Sequence, residues 1–118
     1  MQFSIELYET GNGRAVVEEE LEDIEQQTPL LYDLLIAGLT KLRLRDNHHP
    51  PLCKPIGDGL FELRVGHRDT ARALWFFVHG KRIVVVHCFV KKTEKMPQSA
   101  WELAIKRRAD YLTRRAIR

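Results

Sequence analysis

The stretch Ala71-Arg72-Ala73-Leu74-Trp75-Phe76-Phe77-Val78-His79-Gly80-Lys81-Arg82-Ile83-Val84-Val85-Val86-His87-Cys88-Phe89 decides how this chain folds. It holds two runs, 71–79 and 82–89, rich in Val, Ile, Phe and Trp, the side chains that suit a pleated, half-buried surface. Gly80-Lys81 between them reads as a hairpin turn. Just upstream, Leu60-Phe61-Glu62-Leu63-Arg64-Val65 alternates, with Phe61, Leu63 and Val65 on one face and Leu60, Glu62 and Arg64 on the other. Gly57-Asp58-Gly59 supplies the turn before it. The pattern predicts a three-stranded antiparallel meander.

The segments outside the meander read differently. Asp46-Asn47-His48-His49-Pro50-Pro51 is loop, because neither proline suits a helix interior or a central ladder. Before it, Thr28-Pro29 places a cap and a proline at the first helical position, and Leu31, Leu34, Leu35, Gly38 and Leu42 trace an apolar stripe. Val17, Leu21 and Ile24 recur at helical spacing among Glu18, Glu19, Glu20, Glu22, Asp23 and Glu25, so an acidic helix precedes the apolar one and the two lie antiparallel. At the start, Phe3, Ile5 and Leu7 alternate with Ser4 and Glu6 as a half-buried strand that stops at Gly11-Asn12-Gly13. After the meander, residues 90–96 are too charged for a core strand and Pro97 opens a last helix. There Trp101, Ile105, Ala109 and Leu112 share an apolar face, with Lys106, Arg107, Arg108, Arg114 and Arg115 pointing elsewhere. The expected fold is α+β, an antiparallel sheet packed with helices in the order β-α-α-β-β-β-α, over one domain spanning residues 1–118.

Charge is divided unevenly along these elements. The whole chain carries 19 Lys plus Arg against 16 Asp plus Glu, a net charge of +3. Residues 1–33 hold nine acids and Arg14 as their one base, a balance of −8, whereas residues 34–118 hold eighteen bases and seven acids, a balance of +11. Such a division points to a polyanion or an acidic partner for the basic part. No apolar run approaches the ~20 residues of a membrane span. Met1-Gln2-Phe3-Ser4-Ile5-Glu6 does not read as a secretion signal, so a cytoplasmic location without membrane partners is expected. Cys53 and Cys88 are too few for a disulfide framework and read as small buried thiols.

Three basic groups fall where strands meet loops: Lys54, the strand pair Arg64 and Arg72, and Lys91, Lys92 and Lys95. Any one of them is more often a solvated charge. Together, with Arg64 and Arg72 projecting into one open groove, they suit a phosphodiester, since guanidinium forks bind phosphate oxygens bidentately and ammonium groups add point charges. Holding the phosphate makes a binder; stabilising the charge of its transition state makes a nuclease. RNA carries its own nucleophile in the 2′-hydroxyl, so such an enzyme needs no metal or cofactor, only geometry, positive charge and groups that accept and donate a proton. Candidate proton carriers are Glu62, for which pairing with a neighbouring base is the other reading, His67 in the Gly66-His67-Arg68-Asp69-Thr70 turn, and His87, which shares a face with Ile83 and Val85 and reads first as a core histidine. His48, His49 and Cys53 match no zinc spacing.

The segments Lys54-Pro55-Ile56-Gly57-Asp58-Gly59-Leu60-Phe61-Glu62-Leu63-Arg64, Arg72 in a strand reaching Trp75-Phe76-Phe77, and Phe89-Val90-Lys91-Lys92-Thr93-Glu94-Lys95-Met96-Pro97 occur in this order. In that set the chain resembles the phage-derived branch of the RelE/HigB toxins of type II toxin–antitoxin systems, within the RelE/ParE superfamily, over nearly its whole length. The resemblance implies a microbial-RNase-like, RelE-like fold, a metal-independent endoribonuclease that cleaves messenger RNA on the ribosome and so inhibits translation, and a helix-turn-helix antitoxin as partner, with operator DNA reached only through that antitoxin. It also implies that Arg64 and Arg72 contact the scissile phosphate and that Lys92 is a catalytic basic residue, while Lys54, Lys91 and Lys95 belong to this branch's own motif and, with Arg68, suit RNA binding. Two departures stand out: Leu60 and Glu62 occupy the strand where the best-known RelE-type enzymes carry lysines, and no tyrosine opens the last helix, where Trp101 is the nearest aromatic and Tyr111 comes much later. The proton acceptor then falls to Glu62 or His67. Other readings are a ParE-like gyrase inhibitor that cleaves nothing, and an inactive member that only binds its antitoxin.

Overall fold

A computed structural model of the chain describes residues 2–92 and 95–117. The elements run β1 (Ser4–Leu7), α1 (Val16–Gln27), α2 (Pro29–Lys41), a short 3-10 turn (Arg45–Asn47), β2 (Cys53–Gly57), β3 (Leu60–Gly66), β4 (Thr70–Val78), β5 (Arg82–Lys91) and α3 (Gln98–Ile117). They form an α+β fold around one five-stranded sheet in the order β1-β5-β4-β3-β2.

The meander therefore has four strands rather than three, and the sheet is not wholly antiparallel. The added strand, β2, pairs Lys54 with Glu62 and Cys53 with Leu63. It contains Pro55, which a ladder accepts only where the missing N–H faces outward, and β2 is the sheet's edge. Asp58 (φ 54°) and Gly59 (φ 79°) make the tight turn into β3, and a positive φ at both positions is what a two-residue hairpin of matching twist requires. At the opposite edge β1 lies parallel to β5, with Ser4 beside Arg82 and Leu7 beside Val85.

Strand β5 is irregular in its middle. Leu74 pairs with His87, yet the next residue, Trp75, pairs with Val85, so Val86 is an extra residue in the ladder. The bulge places His87 on the opposite face from Ile83 and Val85, against the expectation from simple alternation. The β4–β5 turn holds three residues, since Val78 pairs with Arg82.

Helices α1 and α2 cover one face of the sheet and α3 the other. Val17, Leu21 and Ile24 are buried as the spacing predicts. On α2 the buried positions are Leu35, Gly38 and Leu39, whereas Leu34, expected in the apolar stripe, is 49% exposed. Thr28 lends no side-chain cap to α2; its hydroxyl donates back to the Ile24 carbonyl at 3.1 Å. A Cβ on Gly38 would sit 3.1 Å from Leu63, so glycine lets α2 approach β3 closely. Gly66 is more constrained: φ is +97°, and a Cβ would fall 2.5 Å from the Asp69 carbonyl oxygen and 2.8 Å from Leu31.

The face of α3 is also rotated from expectation. Ala100, Ala104 and Tyr111 are buried, while Leu112 is exposed and Ala109 lies outward. Tyr111 meets Phe76 edge-on at 5.9 Å and donates to Glu6 at 2.9 Å. Arg107, expected to point away, turns inward and donates to Glu20 (2.8 Å) and to the Val86 carbonyl (2.9 Å). Glu20 also accepts the Cys88 N–H at 2.9 Å and lies 3.0 Å from His87 Nδ1, so one carboxylate of the acidic helix ties α1, β5 and α3 together. No helix among the described residues is long and apolar enough to cross a membrane.

Candidate functional site

Alternation and register put Lys54, Glu62, Arg64 and Arg72 on the α3 side of the sheet. Lys54 faces Glu62 across β2–β3, and Arg64 faces Arg72 across β3–β4, so each pair shares that face. Further along, Arg72 faces Phe89 and Thr70 faces Lys91, which brings Lys91 to the same side. Residues from four strands thus converge on one patch, as their alternation in the sequence implies.

Their exposure differs sharply. Arg72 and Glu62 are each 1% exposed and form an ion pair at 3.2 Å. Arg72 Nε also donates to the Thr70 hydroxyl at 3.2 Å, and that hydroxyl donates to the Lys91 carbonyl at 3.0 Å. A hydrogen-bonded chain therefore runs from β3 through β4 to β5. Lys54, whose side chain is 55% exposed, brings its ammonium to 3.9 Å from Glu62 Oε1, an oxygen that accepts no hydrogen bond from the described residues. Lys54, Glu62 and Arg64 line a small cavity of about 110 Å³, walled by Pro50, Pro51, Leu52 and Cys53.

The expectation of two arginines in one open groove is accordingly corrected. Arg64 is part-exposed beside the cavity, but Arg72 is sealed under packing, where it neutralises Glu62. A buried charge of either sign is expensive unless paired, and that cost explains why these two residues sit together. It also removes Glu62 from direct proton exchange with a bound substrate.

The remaining candidates are dispersed. His67, Arg68 and Asp69 form the exposed β3–β4 turn, past the Gly66–Thr70 pair, roughly 10 Å along the strand from Arg64 at ~3.3 Å per residue. Lys92 is not with the cluster: it lines a cavity of about 510 Å³ with Glu20, Asp23 and Asp69. Lys95 is exposed, and Thr93 and Glu94 of the quoted motif lie outside the described residues. His87 stacks on Phe89 at 4.9 Å and its Nδ1 lies 3.0 Å from Glu20 Oε1. Burial raises the Cys53 thiol to about 11 and pushes Cys88 up as well, so neither supplies a thiolate near neutrality. Three strand-to-strand spacings separate them (β5-β4-β3-β2), some ~14 Å at ~4.8 Å each, too far for a bridge. Among the described residues no group of three or more His, Cys, Asp or Glu is placed to hold a metal ion, and His48 Nε2 is bonded to the Leu42 carbonyl at 2.6 Å.

One assembly escaped the sequence reading. On the other face of the same strands, Phe61, Trp75 and Phe77 join Phe3 and His48 in an aromatic group, with Phe61 stacked on Trp75 at 4.6 Å. The signal was present in the alternation of Phe61 with Glu62 and of Trp75 with Phe76, but nothing local brings Phe3 and His48 to it.

A protein-family model, that of the phage-derived Gp49-like proteins (DUF891), matches residues 19–109, more than half of the chain and all the cations of the cluster. No curated protein matches significantly.

Proposed function

The chain belongs to the phage-derived Gp49-like family, and from that premise we propose that it is the toxin of a toxin–antitoxin pair, an endoribonuclease that cuts messenger RNA on the ribosome. The observation that carries this reading is the gathering of Lys54, Arg64 and Lys91 on one face of the sheet around a buried Glu62–Arg72 pair. The resemblance of the same segments to RelE/HigB toxins supports it.

In this reading Lys54 and Arg64 hold the scissile phosphate and offset the negative charge that grows on its oxygens as the 2′-hydroxyl attacks. The bond from phosphorus to the departing 5′-oxygen breaks, leaving a 2′,3′-cyclic phosphate on one fragment and a 5′-hydroxyl on the other. Glu62 and Arg72 are positioning residues: the carboxylate steadies the Lys54 ammonium from beneath, and the ion pair with Arg72 fixes that carboxylate in place. Of the two proton acceptors considered, Glu62 is sealed and His67 lies roughly 10 Å along the strand from Arg64, so in this reading water takes the 2′-hydroxyl proton and supplies one to the departing 5′-oxygen. Lys91, Lys95 and Arg68 add positive charge for messenger or ribosomal RNA, and Lys92, next to Asp23 and Asp69, takes no part in the chemistry. A helix-turn-helix antitoxin would silence the toxin by laying acidic groups over the same cations.

Brief expression followed by mapping of transcript ends tests the proposal. Breaks confined to translated regions, and lost when ribosomes are inactive, are the expected result. Intact transcripts with DNA damage as the first lesion would favour the gyrase-poisoning alternative, and a harmless chain would mark an inactive member.

A further inference from the structure

The face of the sheet opposite the cations holds a second cavity, of about 600 Å³, lined by Phe3, Arg45, His48, Pro55, Phe61, Phe77 and Lys81 among others. That volume lies within the ~300–1,000 Å³ usual for small-molecule sites. Its floor is aromatic: Phe77 meets Phe61 edge-on at 5.2 Å, Phe3 at 5.7 Å and His48 at 5.4 Å. Phe77 is 41% exposed, although the seven residues before it on β4 are all buried, so part of its side chain is left open where it lines the cavity. Two cations rim the same floor, with the Arg45 guanidinium and the Lys81 ammonium each 5.8 Å from the centroid of Phe3. Lys81 reaches there from a left-handed backbone, φ 57°, in a turn position that ordinarily favours Gly or Asn. Among the described residues no Asp or Glu lines the cavity, so its described wall carries no carboxylate to oppose an anion.

We propose that this cavity binds a nucleotide, with the base against the exposed part of Phe77 and the phosphate held by Arg45 and Lys81. An apolar ligand would leave both cations unused, and a bare anion would leave the aromatic floor wet. A base joined to a phosphate satisfies both halves, because every base has a π-face that stacks on aromatic side chains. The ligand is either a free nucleotide or the phosphorylated end of an RNA chain. This site is independent of the cleavage reading, since it lies on the other side of the sheet from Arg64.

Trp75 reports on the cavity, because it stacks on Phe61 and stands edge-on to Phe77 at 5.0 Å. In a W101F background it is the sole tryptophan. Titrating this protein with AMP should quench its fluorescence saturably, at least tenfold more tightly than adenosine or ribose 5-phosphate. F77L, which keeps apolar bulk but loses the ring, should weaken AMP at least tenfold, and F77Y should restore it. K81N, which tolerates the same backbone, should weaken AMP while leaving adenosine unchanged. R64A should leave AMP binding intact even if it abolishes toxicity. A 5′-phosphorylated oligoribonucleotide binding more tightly than AMP would identify RNA as the source, and equal affinity would identify the free nucleotide. Absence of quenching, ribose 5-phosphate equal to AMP, or F77L equal to the parent would overturn the proposal.

Discussion

At its β2 edge the sheet shows two contrasting faces made from neighbouring residues of the same strands. On β3, Glu62 and Arg64 turn toward α3 while Phe61 and Leu63 turn toward α2, and on β4 Arg72 and Trp75 divide in the same way. Toward α3 lies a charged patch whose innermost pair is dry; toward α2 lies an aromatic floor whose outermost ring is wet. The contrast shows that position in the sheet, rather than residue type, decides which groups are available to a ligand. Arg72 is among the largest fully buried side chains and Phe77 is among the exposed hydrophobics, an inversion of what polarity alone suggests.

The sharpest way to break this contrast is to remove one member of the dry pair. R72M leaves the Glu62 carboxylate buried without its guanidinium and should cost ~3–5 kcal/mol in denaturant unfolding, whereas E62L/R72M should recover most of that loss. A single variant as stable as the parent would mean that the pair is not held in the dry state found here. A second way leaves the fold alone. K54A and R64A should each reduce RNA cleavage by ~10²–10³-fold in a chain that still folds, as circular dichroism would show. Cleavage that survives the double substitution would move the chemistry elsewhere.

Two smaller effects test the frame around the faces. G66A forces a side chain into φ +97° and against the Asp69 carbonyl, so it should destabilise by more than ~1 kcal/mol, where a glycine replacement at an unstrained position would stabilise slightly. Glu20 is the mildest case. Burial acts to raise its pKa, but His87, the Cys88 N–H and Arg107 outweigh that and hold it below its usual 4.5. Its contribution to stability is therefore complete above the usual carboxylate value and is lost as pH falls through the lower, folded-state value. E20Q should flatten that acid limb of the stability profile; an unchanged limb would assign it to other carboxylates.

Much of this arrangement was legible in the sequence because it depends on local periodicity. Val17, Leu21 and Ile24 announce the buried side of α1, and alternation alone puts Glu62, Arg64 and Leu60 on one face. What depends on distant chain was not legible. Pro50, Pro51 and Pro55 concealed β2, since only the finished sheet shows that Pro55 stands at an edge, although Asp58-Gly59 is a hairpin signal in its own right. The bulge at Val86 carries no local mark, so His87 was assigned to the wrong face. On α3 the arginines read as solvated, yet Arg107 has a carboxylate waiting on α1, and its inward turn rotates the packed face to Ala100, Ala104 and Tyr111. The candidate site followed the same rule: its residues could be placed on a common face, but the burial of Arg72 depends on its neighbours across the sheet.

The most direct test of the central claim is the end chemistry of a messenger cut by the purified chain on programmed ribosomes, compared with the K54A/R64A variant. The account predicts fragments ending in 2′,3′-cyclic phosphate and beginning with 5′-hydroxyl, present with the parent and missing with the variant. Uncut messenger, 3′-hydroxyl ends, or equal cutting by the variant would contradict it.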